Sequence, residues 1–400
     1  MEPTSAPATA DELLAILLSS DVGAYITVPC TITSDLHALV HRKAGGGDLQ
    51  MLTTIHEANL IGMAAGIWFA SGRPAVIHLQ NSGLGHLADS YISFASPEMF
   101  AIPMAAIITF RGATSEDASE PHQAIGRRTD ALIRDIFSPG TVIQGDRLGR
   151  QDARVGLRAV LQAALAGGQG VLKLPAAALQ AGGADAPLQT KAFASDSSRQ
   201  PSSTPRSAET QRPLRFRERC SWNRDEAILA IMDEHPHAAL LFSNGYTARA
   251  AQALADGERN FYNIGYMGGT LAIGWALARE RPDLDVVVVD GDQNAEMSCM
   301  KDHLANDYPQ NLYWYILNNR VGASVGGAVS LPLANHYAHL ACIINTEANA
   351  TASFNHPRVH PASHTPGGNL AELSARFRAW LAAQQPSAQH NCRLDGHTSV

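Results

Sequence analysis

Two stretches of this 400-residue chain carry residues whose types and spacing could do chemistry. In one, the apolar run Val286–Val289 ends in Asp290-Gly291-Asp292, and a second strand-like run, Leu312–Leu317, ends in Asn318-Asn319. Two buried strands would deliver a carboxylate and a carboxamide to one sheet edge, which is where open α/β sheets bind their ligands. Hard oxygen donors of this kind suit Mg²⁺ beside a diphosphate. A strand-end aspartate that caps the next helix is the plainer alternative. In the other stretch, Thr53-Thr54-Ile55-His56-Glu57-Ala58-Asn59 opens the apolar helical run LIGMAAGIWFASG, with Glu57 at the strand-to-helix junction. A glutamate there complements the positive end of the helix. In a low-dielectric site its carboxyl could also keep and share a proton.

These residues need regular elements to hold them. From about residue 10 to 178 the strand-like runs Ala24–Val28, Leu52–Ile55, Ala75–Gln80, Met104–Phe110 and Val171–Leu174 alternate with helical runs at Glu57–Ser71, Gly85–Ala95 and Gly156–Ala166. Alternation of this kind predicts a mostly parallel sheet with helices on both faces. A stretch rich in Ala, Gly, Ser, Pro and Thr follows, Gln180–Pro213, and reads as an extended interdomain linker. A second alternation then begins, with helices at Arg224–Glu234, Ala248–Ala255, Thr270–Arg279 and Glu296–Ala305 and strands at Ala238–Ser243 and Asn260–Ile264 beside the two named above. Past Ala348 the pattern gives way to a His/Pro/Ser-rich stretch and one amphipathic helix, Leu370–Ala383; no closing strand for the second domain is apparent. The expected architecture is α/β, with domains at 1–179 and 218–385, a linker at 180–217 and a polar tail at 386–400.

Composition excludes several classes. A net charge of −7 and no long basic cluster argue against nucleic acid as a partner. Cys30, Cys220, Cys299, Cys342 and Cys392 are scattered, with no C-x-x-C spacing, which fits reduced thiols in a cytoplasmic protein better than a disulfide framework or zinc site. The N-terminal segment lacks the basic region of a signal peptide, and no uncharged apolar window is long enough to span a membrane.

Gly291-Asp292 followed by Asn318-Asn319 resembles the diphosphate–metal motif of thiamine-diphosphate-dependent enzymes. The resemblance implies that Asp292 and Asn319 bind Mg²⁺ through their side chains and Val321 through its backbone carbonyl, with Asn294 among the cofactor contacts. Gln293 stands where the family has glycine; if that position needs a positive φ, glutamine would cost about 1 kcal/mol or more. Glu57 resembles the glutamate that hydrogen-bonds the cofactor's aminopyrimidine ring. Further stretches narrow the likeness to the phosphonopyruvate and sulfopyruvate decarboxylases: Val28-Pro29-Cys30, Gln80-Asn81-Ser82-Gly83-Leu84-Gly85, Arg111-Gly112 with Glu120-Pro121-His122-Gln123, Gly245-Tyr246-Thr247-Ala248-Arg249, and Gly265-Tyr266-Met267-Gly268. By that resemblance Asn81, Gly245, Tyr246, Thr247, Gly265 and Tyr266 line the cofactor, and Met267 wedges between its two rings. Tyr266 replaces a family serine, and Met267 as simple core is the ordinary alternative.

The family implies non-oxidative decarboxylation of 3-phosphonopyruvate to phosphonoacetaldehyde and CO₂ in phosphonate, including antibiotic, biosynthesis. Sulfopyruvate decarboxylation and a non-catalytic cofactor-binding homologue stay open. A small 2-oxo acid with a distal anion needs cationic or hydrogen-bonding partners, for which Ser34, His56, His86, Arg111 and His122 are the candidates. In the family the glutamate and the metal site meet across a subunit interface. The resemblance therefore implies a homo-oligomer, with the apolar Leu60–Phe69 helix buried at that interface.

Overall fold

Val286–Val289 is apolar at every position and Met104–Phe110 at all but Thr109, the pattern of strands covered on both faces, and the structure places them so. The computed structural model describes residues 6–44, 49–112, 114, 119–180, 216, 222–322, 324, 328–330, 333, 337, 340–347 and 369–384. Nearly all of the expected linker and the tail lie outside the described residues.

The first domain is a six-stranded parallel sheet of β1 (Ala24–Thr27), β2 (Gln50–Thr53), β3 (Ala75–Gln80), β4 (Met104–Phe110), β5 (Val142–Gln144) and β6 (Gln169–Pro175), in the order β2-β1-β3-β4-β6-β5. Successive side chains on a strand point to opposite faces. Tyr25, Val76 and Ile107 accordingly join an outer core with Leu13 and Leu161, whereas Ile26, Ile77 and Ile108 join a core that continues into the second domain. That domain is a five-stranded sheet of β7 (Ala239–Phe242), β8 (Asn260–Tyr262), β9 (Val286–Gly291), β10 (Leu312–Asn318) and a late strand, in the order late strand-β10-β9-β7-β8 and again parallel. A small antiparallel pair, β11 (Val321–Gly322) and β12 (Ala328–Val329), follows β10.

The late strand, β13 (Cys342–Asn345), is the closing strand that the sequence did not reveal; it pairs with β10 through Tyr315↔Cys342. Its four residues carry too little pattern to stand out. The expected helix at Glu296–Ala305 is instead two short ones, Asp292–Met297 and Lys301–Asn306. The break follows from contacts with other elements: Ser298 is extended (ψ 126°), and the Cys299 carbonyl accepts a hydrogen bond from Asn59 Nδ2 at 3.3 Å. No described helix is long and apolar enough to cross a membrane.

The two domains meet along helix Glu57–Ser71, which is buried from Asn59 through Ala70 and so has no solvent-facing stripe. It lies on helix Thr270–Glu280. Gly62 and Gly66 let the backbones approach: a Cβ on Gly62 would stand 2.6 Å from Ala272 Cβ, and one on Gly66 would stand 2.7 Å from Ala276 Cβ and overlap the Ile273 carbonyl. The C-terminal helix, Leu370–Ala383, closes this seam. Phe377 packs on both Phe69 and Phe261, Arg378 lies over the Trp68 ring at 4.3 Å, and Arg376 makes a two-pronged pair with Asp256.

Glycine replacement separates this packing from ordinary helix propensity. Gly66→Ala should destabilise the protein by about 1–3 kcal/mol through overpacking. Gly85→Ala, on a helix where a Cβ meets nothing within 4 Å, should be neutral or stabilising by up to about 1 kcal/mol. Paired thermal denaturation of the full chain checks the difference, and equal effects would discount the seam.

Candidate active site

Parallel strands end at one edge of their sheet, and in the second domain adjacent strands bring the expected donors there. Leu317 pairs with Gly291 across β10 and β9, so Asp292 and Asn319 leave the same edge side by side. Asp292 is buried. Its Oδ1 accepts the Gln293 N–H at 2.8 Å, while Oδ2 is buried with no hydrogen bond of good geometry, the Ser330 hydroxyl and the Arg320 N–H being the other polar groups near the carboxylate. An unanswered buried carboxylate oxygen is costly unless a cation or donor arrives, and burial raises the Asp292 carboxyl above its ordinary value. Asn319 Oδ1 accepts the Val321 N–H at 3.0 Å. Arg320 between them holds a left-handed φ of 61°, a conformation that costs a non-glycine residue energy and is kept where the surroundings demand it. Among the described residues no three His, Cys, Asp or Glu side chains cluster as a metal site; the expected set of one carboxylate, one carboxamide and one carbonyl is of a different kind. Asp290, two residues upstream, is also fully buried and pushed up to about 7 by that burial; Trp314 Nε1–H answers its Oδ2 at 2.8 Å, and its Oδ1, like Asp292 Oδ2, has no hydrogen-bond partner.

Gln293 is helical, and the non-glycine residues with left-handed φ among the described ones are Ala101 and Arg320. The conformational cost expected for glutamine at this position therefore does not arise. Its carboxamide instead lies against Gly322, where a Cβ would overlap it.

The neighbouring loops are fixed by side chains. Asn294 does not offer its carboxamide outward as a cofactor contact: Nδ2 donates to the Asn244 carbonyl at 2.9 Å and Oδ1 accepts the Gly268 N–H at 3.0 Å. One side chain thus ties together the loops after β7, β8 and β9. Gly245, at φ 98°, opens helix Tyr246–Ala255; Tyr246 lies beneath the Arg224 and Arg249 guanidinium groups, and Thr247 is buried. After β8, Gly265 and Gly268 take positive φ values and present opposite fates for the residues between them. Met267 is 49% exposed, whereas Tyr266 is buried at 2%. The Tyr266 hydroxyl donates to the Ala58 carbonyl at 2.6 Å, so this tyrosine packs into the domain seam instead of standing in for a small cofactor-facing hydroxyl.

Glu57 begins the seam helix, capped by His56, whose Nδ1 accepts the Ala58 N–H at 3.3 Å. The Glu57 carboxylate lies on Gly83, at which any Cβ would overlap it. That contact explains why the Gln80–Gly85 loop carries a glycine there. Asn81 from the same loop is fully buried: Nδ2 donates to the Arg111 carbonyl and Thr129 Oγ1, and Oδ1 accepts the Arg111 N–H. It holds the end of β4 and is not free to line a cofactor.

The five substrate candidates divide. His56 and His86 gather at Glu57, with His86 Nδ1 3.0 Å from Glu57 Oε2. Arg111 reaches across to Gln80 Oε1 at 3.3 Å and to Thr31 Oγ1, close in sequence to Ser34 at the start of helix Ser34–Ala44. His122 lies on helix Glu120–Gly126, whose backbone abuts Gly112. Beneath Cys30–Ser34 is a buried cluster that the sequence did not disclose: His37 Nε2 is 3.1 Å from His78 Nδ1, with the Tyr25 hydroxyl on the same nitrogen. Burial holds His37 down at about 4, and burial with the neighbouring His37 also pushes His78 well below the usual imidazole range. Alternation along β1 and β3 was the available signal.

The expected subunit interface has a counterpart within one chain. Tyr266 on Ala58, Asn59 on Cys299, and His303 Nε2 on Thr54 Oγ1 at 3.3 Å join the Glu57 segment to the second domain directly. The apolar helix expected to be buried between subunits is buried between domains.

No model of a known protein family matches the chain. It is 30% identical over 388 residues to a phosphonopyruvate decarboxylase of Streptomyces hygroscopicus, covering 96% of this chain and 86% of the relative. It is 30% identical over 406 residues to one of Streptomyces viridochromogenes, covering 93% and 94%. A sulfopyruvate decarboxylase of Methanosarcina acetivorans is 23% identical over 79% of this chain and 77% of that one. A Mycobacterium smegmatis structure provisionally assigned as a thiamin diphosphate-dependent enzyme superposes with a TM-score of 0.57 at 12% identity, over 86% of this chain and 100% of that one, a likeness of fold alone. Two relatives at this identity, spanning nearly the whole chain, place the protein in the phosphonopyruvate decarboxylase family.

Proposed function

We propose that the protein decarboxylates 3-phosphonopyruvate to phosphonoacetaldehyde and CO₂ with thiamine diphosphate and Mg²⁺, as a step in phosphonate natural-product biosynthesis. The observation that carries this reading is the pairing of Asp292 Oδ2, buried and unanswered, with Glu57 seated on Gly83 at the domain seam. One group asks for a cation and the other for a hydrogen-bonding ring, and the two Streptomyces relatives carry the matching name.

Asp292, Asn319 and the Val321 carbonyl would hold Mg²⁺, a set of hard oxygens. When bound, thiamine diphosphate supplies the electron sink that receives the electron pair of the departing carboxylate. Glu57 would hydrogen-bond a ring nitrogen of the bound cofactor and pass a proton to or from it. Its 13% side-chain exposure keeps competing water away. Met267, exposed between two left-handed glycines, serves as the wedge that shapes the cofactor. Arg111, fixed by Gln80 and Thr31, and Ser34 bind the distal anion through charge-assisted hydrogen bonds. Assembly into a homo-oligomer belongs to the same proposal and is read by sedimentation.

Steady-state rates on 3-phosphonopyruvate and 3-sulfopyruvate test the substrate; faster turnover of the sulfonate overturns the choice. Glu57→Gln should keep Mg²⁺-dependent cofactor binding in calorimetric titration and lose about a hundred-fold or more in kcat; full activity would remove its role. Asp292→Ala should abolish metal-dependent cofactor binding, since it deletes the one carboxylate of the set. Retained affinity would refute the metal assignment.

A further inference from the structure

His86 is not needed for any role assigned above, yet it touches the carboxylate on which the proposed chemistry turns. Its side chain is 66% exposed, against 13% for Glu57, and the two meet at 3.0 Å between Nδ1 and Oε2. The other side of the carboxylate lies on Gly83. Oε2 is thus in contact with an imidazole that is itself open to solvent, while Oε1 lies on Gly83.

That ring is held in place. It stacks on His56 with centroids 5.3 Å apart and planes 19° from parallel. His56 is in turn oriented by the helix, because its Nδ1 accepts the Ala58 N–H and so carries no proton. The ionisable groups that His86 touches, among the described residues, are Glu57 and His56. With Glu57 ionised, the carboxylate is acceptor-only, so the contact puts the proton on His86 Nδ1 and leaves Nε2 for water; with Glu57 protonated, the carboxyl donates and Nδ1 accepts.

We propose that His86 is a positioning residue that couples Glu57 to bulk solvent. Nδ1–H donates to Oε2 and fixes the rotation of the carboxylate. A hydronium ion gives its proton to Nε2, leaving water, as the Nδ1 proton passes to Oε2; one solvent O–H bond and the Nδ1–H bond break, and one Nε2–H bond and one Oε2–H bond form. The net result is one proton moved from solvent to Glu57, and the reverse sequence returns it. Imidazole suits the task because its two nitrogens exchange donor and acceptor roles near neutral pH. This assigns His86 to the carboxylate and not to the substrate's distal anion, and it rests on the role proposed for Glu57.

The test uses the holoenzyme in D₂O, with exchange of the cofactor's C2 proton followed by acid quench and proton NMR. His86→Ala should slow exchange by about a hundred-fold, with added imidazole restoring part of the rate and cofactor affinity little changed. His86→Gln keeps an N–H donor but cannot relay, and should stay slow. Unchanged exchange in His86→Ala, or full recovery in His86→Gln, overturns the relay. A second readout needs no cofactor: ¹⁵N NMR of the histidine-labelled protein should show neutral His86 protonated at Nδ1, moving to Nε2 in Glu57→Ala. An Nε2-protonated His86 in the unmodified protein, at a pH where the ¹³C shift of the Glu57 carboxyl shows it ionised, overturns the contact itself. A wild-type protein that binds no cofactor overturns the proposed function, while the nitrogen spectrum still decides the His86–Glu57 contact.

Discussion

The close approach of two helices governs this structure. Gly62 and Gly66 on one face Ala272, Ile273 and Ala276 on the other, so backbone meets backbone where larger side chains would hold the axes apart. Packing at interior density gathers many small dispersion gains, and here it also sets position. Glu57 begins one helix, and the Gly265–Gly269 loop leads into the other. The contact therefore brings a carboxylate from the first domain to the loops of the second. Tyr266 on the Ala58 carbonyl and Asn59 on the Cys299 carbonyl then fix what the packing allows.

Position distinguishes two carboxylates that the sequence places two residues apart. Asp290 and Asp292 both have their carboxyls raised by desolvation. The indole N–H of Trp314 answers one oxygen of Asp290 inside the sheet. Asp292 emerges at the sheet edge with Oδ2 unanswered. Each keeps one buried oxygen without a partner, Oδ1 in Asp290 and Oδ2 in Asp292; what separates them is place, Asp290 lying on β9 inside the sheet and Asp292 opening the helix that leaves its edge.

The strand ends and the buried helix were legible because their signals are local: apolar runs of the right length, followed by residues that cannot continue them. Helices Glu57–Ser71, Arg224–Glu234 and Leu370–Ala383 fall where the periodicity sets them. The less legible features depend on distant partners. The break at Ser298 is stabilised by Asn59 from the other domain, and β13 is too short to be seen without β10 beside it. At the site, Glu57 and Asp292 could be named from their setting. Asn81 and Asn294 could not be sorted, because a carboxamide facing a ligand and one tying loops together look alike until their partners are known. Tyr266 shows the same limit: an aromatic in place of serine reads as damage to a ligand site until its hydroxyl is found on another helix.

The C-terminal helix carries a consequence for how the molecule is made. Phe377, Arg376 and Arg378 complete the seam from beyond residue 369. Domains fold largely in order of synthesis, so the first sheet can form long before its last cover exists. Until the final helix leaves the ribosome, Phe69, Trp68 and Phe261 lack that cover. The nascent protein thus has a defined window of vulnerability, which lasts until residues 370–383 have been made and docked.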